Sequence, residues 1–301
     1  MILDNNMTYY QFLILQYLAT HKPPFTHRQL SDELMISNTE IMKELASFKS
    51  QGLVAASGIT DAGLEVLAPY KVRKALILAA GFGSRMMPAT EDRPKPMVSV
   101  NGLRIISTLL DALLVAGVKD ITIVRGYKKA RFDELLAEYP NLHFIDNDVY
   151  DKYNNISSAI LAKDFFTGGC YLCEADLYIT NPSIITPYQY RSNILGSWSI
   201  ETDDWSFKTD NDGMISLYQK SNTYCWNYYG ISYWTPEDCN KLNHDWAEIF
   251  ATPEGKDVFW EQVPLQLRRD KYKVAVRPCR KQDIMEIDNY YELQQLDASY
   301  K

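Results

Sequence analysis

Two glycines, an arginine and a lysine held between prolines stand in one block of this 301-residue chain. It reads Leu78-Ala79-Ala80-Gly81-Phe82-Gly83-Ser84-Arg85-Met86-Met87-Pro88 and continues to Pro94-Lys95-Pro96-Met97. These residue types suit the capture of a phosphate. Gly81 and Gly83 permit a tight turn and let backbone N–H groups close on an anion. Arg85 offers a planar fork of donors that matches phosphate oxygens. Lys95 adds a compact positive charge on a backbone stiffened by its proline neighbours. The spacing does not fit two commoner phosphate loops. A dinucleotide-binding turn needs a third glycine where Met86 stands, and a Walker loop needs Gly-Lys-Ser/Thr, which follows neither glycine.

Carboxylates recur in two alternating pairs, Glu174-Ala175-Asp176 and Glu286-Ile287-Asp288. The first directly follows the apolar stretch Cys170–Cys173, and a carboxylate at the C-terminal end of a strand in an open α/β sheet sits where ligands bind. Alternation on a strand puts Glu286 and Asp288 on one face. Taken alone, both pairs fit ordinary solvated acids. Beside a phosphate loop they fit magnesium, which prefers one or two carboxylates together with phosphate oxygens. Cys170 and Cys173 have the spacing of half a zinc site, but no second Cys or His pair completes it. On a strand the two thiols point to opposite faces and read as core. His21, His27, His143 and His244 are scattered and suggest no triad.

The elements that must carry these residues follow from the apolar pattern. Lys74–Leu78 reads as a buried strand leading into the glycine turn, and a helix is predicted from Ile105 to Ala116. A strand over Asp120–Val124 and a helix over Phe132–Glu138 follow, and the alternation continues through Ala159–Lys163 to Tyr171–Leu172. This is the pattern of a mostly parallel sheet with helices on both faces. From Ser197 shorter strands rich in Trp and Tyr are expected. Residues 1–70 read differently. Phe12, Leu13, Leu15 and Leu18 mark one helix, and Thr26 with Gln29 and Ser37 with Glu40 fit capping boxes that open two more. A short two-stranded wing around Ser57–Gly58 and a helix from Thr60 complete what looks like a small winged helix-turn-helix domain. Such a domain can bind DNA through the helix after Ser37 or serve as a protein-contact module. Its four basic residues against seven acidic ones give a net charge of −3. Phosphate neutralisation supplies most DNA affinity, so the balance favours protein contact and leaves DNA as the lesser alternative.

Residues 74–97 resemble the signature of the sugar-phosphate and choline-phosphate nucleotidyltransferases. The Ala79-Ala80-Gly81 form, with Val98-Ser99-Val100-Asn101-Gly102 after the lysine, is most similar to the bacterial phosphocholine cytidylyltransferases of the LicC type. The resemblance runs from Lys74 to Leu293. It implies a Rossmann-like, mostly parallel α/β sheet of the nucleotidyltransferase (GT-A-like) type over residues 71–301. It implies transfer of CMP from CTP to phosphocholine, giving CDP-choline and pyrophosphate, with Mg2+ between Asp176 and Asp288. Arg85, Lys95, Asp176 and Asp288 are then the catalytic set. Leu78, Ala79, Ala80, Gly81, Gly83, Ser84, Arg85, Lys95, Asn155 and Ser158 are then the nucleotide contacts. Asn155 and Ser158 belong to Tyr153-Asn154-Asn155-Ile156-Ser157-Ser158, which otherwise reads as a polar turn before a helix. A quaternary ammonium is held by aromatic faces, and the family's choline cage would place Trp205, Tyr233 and Trp260 in the acceptor site with Glu286. Glu201, Asp203, Asp204 and Glu261 are candidate counter-charges. Two alternatives stay open: a sugar-1-phosphate nucleotidyltransferase on the same core, and a DNA-binding regulator with a nucleotide-sensing domain.

Bulk properties set outer bounds. Hydrophobic residues make up 46% of the chain and the net charge is −7, so no overall basic character draws it to nucleic acid or anionic membrane. No apolar run reaches the roughly 20 residues needed to span a bilayer. Met1–Asn6 shows no basic leader, and five cysteines do not form an even disulfide framework. A cytoplasmic location is expected. A homodimer is compatible with the sequence.

Overall fold

A computed structural model describes residues 7–301, and the counts below are of those residues; the expectation about Met1–Asn6 lies outside them. The chain divides into two compact units, Met1–Lys71 with Tyr188–Tyr190, and Val72–Pro187 with Arg191–Lys301.

In the first unit, α1 (Tyr9–Thr20) opens on a reciprocal cap: Gln11 N–H donates to Thr8 Oγ1 at 3.3 Å and Thr8 N–H to Gln11 Oε1 at 3.0 Å. Thr26 caps α2 (His27–Leu34) and Ser37 caps α3 (Asn38–Ser50), each accepting from the backbone three residues on. The antiparallel pair β1 (Val54–Ala55) and β2 (Gly58–Ile59) leads to α4 (Asp61–Leu67), capped by Thr60. Phe12, Leu15, Leu18, Leu30, Ile41, Leu45 and Phe48 meet in one core. Tyr190 joins it, stacking on Tyr70 at 5.4 Å, so this unit is not the single continuous span 1–70. On α3, Lys43 Nζ lies 3.1 Å from Glu40 and 3.7 Å from Glu44.

In the second unit the strands are β3 (Lys74–Ala79), the small hairpin β4 (Ser99–Val100) and β5 (Leu103–Arg104), then β6 (Asp120–Arg125), β7 (Leu142–Asp146), β8 (Cys170–Glu174), β9 (Leu177–Ile179), β10 (Asn193–Thr209), β11 (Ile215–Trp234), β12 (Ala275–Pro278) and β13 (Ile284–Glu286). Among them run α5 (Ile105–Val115), α6 (Ile156–Leu161), α7 (Pro236–Phe250) and α8 (Tyr290–Leu296). The seven-stranded sheet has the order β12-β10-β11-β8-β3-β6-β7, parallel except where β11 meets its two neighbours. β3 is apolar throughout because both its faces are covered. Ala75, Ile77 and Ala79 pack with α5, while Leu76 and Leu78 pack on the opposite side with residues of α6 and α7. Cys170 and Cys173 fall in these two opposed cores, and the five cysteines are free thiols.

Three expectations change. The helix over Phe132–Glu138 is a 3-10 stretch, Lys129–Ala137. β7 was not anticipated. The shorter strands expected after Ser197 are two long ones, 17 residues in β10 and 20 in β11. Register shifts between them bend the ribbon, so the periodicity breaks into short runs that read as separate strands. No helix among the described residues is long and apolar enough to cross a membrane.

Candidate active site

The chain leaves β3, fills β6 and β7 on one side, and returns to place β8 on the other side of β3. That reversal opens a crevice at the C-terminal strand ends, where open α/β sheets bind ligands. Both chemical motifs open into it: Leu78 pairs in register with Glu174, so the glycine turn and Glu174-Ala175-Asp176 emerge side by side. The cavity there has a volume of about 560 Å³, and the sequence-predicted nucleotide contacts from Leu78 to Arg85, with Lys95, Asn155 and Ser158, all line it.

The two glycines have different jobs. Gly83 has φ +62°, and a Cβ there would lie 2.7 Å from the Lys95 Cβ, so it admits both the turn and the close approach of the lysine. Gly81 has no left-handed φ, and its Cβ would meet nothing; the tight turn expected there is not what it supplies. Gly83→Ala is therefore expected to cost about 1–3 kcal/mol of stability, and Gly81→Ala within about 0.5 kcal/mol. Thermal unfolding of the two variants checks the contrast.

The second acid pair reaches the first through β13, which runs antiparallel to β9 with Glu286 opposite Leu177. β13 ends at Glu286, so Asp288 lies just beyond the strand rather than on it. Ile287 is fully buried with Met86 and Leu293, and the carboxylates either side of it line the cavity. Oxygens of Asp176, Glu286 and Asp288 all lie within 4.8 Å of one another. Lys95 Nζ bridges two of them, 2.9 Å from Asp176 and 3.6 Å from Asp288, and Arg85 lies 2.9 Å from Asp288. Burial works against the Lys95 charge, but Asp176, Asp288 and Glu286 outweigh it and hold the ammonium above its ordinary range. Burial and repulsion from Asp176 and Asp288 push the Glu286 carboxyl up to about 8. Because Glu286 stays exposed to solvent, like-charge crowding is the firmer of those causes. The Arg85 side chain is 69% exposed, so its ion pair is weak and easily exchanged for another anion.

The acceptor residues divide. Trp205 lines the cavity, as does Glu286. Tyr233 does not: it is buried in the core on the α5 side of the sheet, edge-on to Tyr171. Trp260 does not either: its ring is fully buried, edge-on to Trp234 and Trp246. Of the candidate counter-charges, Glu261 and Asp204 line the cavity, as does Glu174 of the first acid pair; Tyr228 and Lys220 line it without having been assigned from the sequence. Burial drives the carboxyls of Glu174 and Glu261 upward, and each other's charge adds to this for Glu174. The Trp260 indole N–H favours ionised Glu174 without making a well-formed hydrogen bond. Asn155 fixes this wall, its Oδ1 accepting from Trp260 N–H at 2.8 Å. Ser158 and Ser157 accept from the buried Asn147 side chain at 2.9 and 3.0 Å.

This geometry has relatives. Residues 74–170 match the nucleotidyl transferase family. A 2-aminoethylphosphonate cytidylyltransferase of Lancefieldella rimae is 35% identical over 228 residues, 75% of this chain and 92% of that protein. A choline-phosphate cytidylyltransferase of Streptococcus pneumoniae is 29% identical over 238 residues, 76% of this chain and 98% of that one. The solved structure of the Streptococcus pneumoniae CTP:phosphocholine cytidylyltransferase superposes with a TM-score of 0.69 at 27% identity, covering 77% of this chain and 100% of that one. With a relative at 35% identity over 92% of its length and a glycine loop at the switch point of a mostly parallel sheet, this chain belongs to the nucleotidyl transferase family.

Proposed function

We propose that the chain transfers CMP from CTP to a small acceptor that joins a phosphate or phosphonate to a cationic amine, the class that includes phosphocholine, and releases pyrophosphate. The observation that carries this is a single cavity with two chemistries, a glycine loop with Arg85 and Lys95 on one wall and buried carboxylates with aromatics on another. The first suits a triphosphate and the second an ammonium. The activities of these relatives, cytidylyltransferases, support CTP as donor.

An oxygen of the acceptor phosphate attacks the α-phosphorus of CTP in line. The bond from α-phosphorus to the bridging oxygen breaks, and that oxygen keeps the electron pair in pyrophosphate. A phosphate monoester is largely doubly ionised at neutral pH, its second pKa being about 6, so no general base is required. What remains for the protein is positioning and charge stabilisation. Gly83 lets the loop backbone approach the triphosphate, and Arg85 exchanges Asp288 for a phosphate oxygen. The clustered oxygens of Asp176, Glu286 and Asp288 fit a divalent cation. Mg2+ held chiefly by Asp176 and Asp288 would supply positive charge against the phosphate oxygens.

The test is pyrophosphate release with Mg2+ over a grid of nucleoside triphosphates and acceptors. CTP with amino-alkyl phosphates or phosphonates is expected to exceed every pairing with a sugar 1-phosphate. Preference for a sugar 1-phosphate, or for another triphosphate, would overturn the reading.

A further inference from the structure

Beside its aromatics, among them Trp205, Tyr228 and Phe259, the acceptor wall carries buried hydrogen-bond acceptors. Of the three aromatics expected to cage a quaternary ammonium, only Trp205 lines the cavity. Tyr218 stacks on that ring at 4.7 Å and 14°, and Lys220 Nζ lies 5.6 Å over it. Beyond Trp205 stands Glu261, 3% exposed. Its Oε1 accepts from the Tyr218 hydroxyl at 3.3 Å, while its Oε2 is buried without a well-formed hydrogen bond, the Asn155 side chain favouring the ionised form from nearby. Glu174 lines the same cavity and lies against Gly230, where a Cβ would fall 2.2 Å from its Oε2. The Tyr228 hydroxyl is buried there without a partner as well. Two cations of the site are committed elsewhere, Lys95 to Asp176 and Arg85 to Asp288, and Lys220 lies over the Trp205 ring.

A buried carboxylate oxygen without a donor is costly, and a bound group that donates to it recovers that cost. A primary ammonium has three N–H donors to offer; a trimethylammonium has none. We infer that the pocket formed by Glu261, Glu174 and Tyr228 selects a primary ammonium over a trimethylammonium, so that the acceptor is a short amino-alkyl phosphate or phosphonate. The inference rests on the cytidylyl-transfer reading above and narrows its acceptor. Glu261 Oε2 takes one N–H and Glu174 a second, and Gly230 is the residue that gives the Glu174 carboxylate its place.

The test uses the full chain with CTP, Mg2+ and four acceptors: phosphoethanolamine, 2-aminoethylphosphonate, phosphocholine and glycerol phosphate. A site built around substrate N–H groups rejects analogues that lack them, so kcat/KM for at least one primary amine is expected to exceed that for phosphocholine by about 100-fold or more. Glu261→Gln is expected to shrink that ratio at least about tenfold while KM for CTP stays within about twofold. Gly230→Ala, which displaces Glu174 and leaves Glu261 in place, is expected to raise KM for the primary amine with KM for CTP unchanged. The acceptor ratio on the unaltered chain decides the matter even if a variant fails to fold. Phosphocholine or glycerol phosphate turned over as well as the primary amines overturns the selectivity and leaves cytidylyl transfer standing. No pyrophosphate from CTP with any of the four overturns both.

Discussion

Asp176→Asn is expected to lower kcat by about 10³-fold or more while the protein unfolds within a few degrees of the parent. Asparagine keeps the shape and one oxygen, so the packing at the end of β8 survives. What is lost is one negative charge from a cluster whose oxygens lie within 4.8 Å of each other. A divalent cation binds such a cluster through its charge and hard oxygens, and removing a single group that stabilises developing charge costs about 10²–10³ in turnover. Loss of the cation together with that group takes the effect to the upper end or beyond. Stability moves little because two changes oppose each other: Lys95 loses its partner at 2.9 Å, and Glu286 loses a repelling neighbour. Turnover by pyrophosphate release, measured across an Mg2+ titration, is the check. An Asp176→Asn protein with near-parental turnover at the same Mg2+ concentration would remove Asp176 from the machinery.

How far the site could be read from the sequence depended on whether each residue's direction was set locally. β3 and the loop after it were legible because one continuous stretch contains both the apolar run and the phosphate chemistry. Glu174 was within reach for the same reason: it ends β8, two residues before Asp176, and both line the cavity. Tyr233 was misplaced by parity. On β11 the residues Tyr229, Ile231 and Tyr233 enter one core, while Tyr228 and Trp234 turn to the other side. Once that strand is recognised, the period of two turns Tyr228 toward the cavity, sets Gly230 against Glu174 and removes Tyr233. Trp260 had no such signal. It lies in an irregular segment after α7, and its ring direction is set by Trp234 and Trp246, which no local spacing encodes. The meeting of Glu286 with Asp176 depends on the pairing of β13 with β9 across more than a hundred residues. Spacing gave each acid pair its alternation, and only the pairing gave them a common site. In the first unit the helix caps were local and readable, whereas Tyr190 joins that core from far along the chain.

Lys95→Met tests the charge balance that these meetings create. Methionine fills the buried stem without strain, but the ammonium that bridges Asp176 and Asp288 is gone. Three clustered carboxylates are then left with Arg85 as the only cation paired to any of them among the described residues, and Arg85 is largely exposed. Removing one partner of a fully buried pair costs about 3–5 kcal/mol. The Asp176 side chain is 31% exposed and solvent screens part of the loss, so about 1–2 kcal/mol is the expected destabilisation in the absence of Mg2+. Turnover is expected to fall by about 10²–10³-fold, since a preorganised positive charge beside the triphosphate is lost. Lys95→Arg is not expected to rescue it: a planar guanidinium does not replace the compact ammonium that bridges Asp176 and Asp288. The decisive measurement is thermal stability against Mg2+ concentration. If the cation and Lys95 serve the same carboxylates, Mg2+ raises Tm more in Lys95→Met than in the parent, because it supplies the positive charge the variant lacks. Equal Mg2+ responses in the two proteins would mean that the ion binds elsewhere, and that the Lys95 pairing is structural and independent of metal.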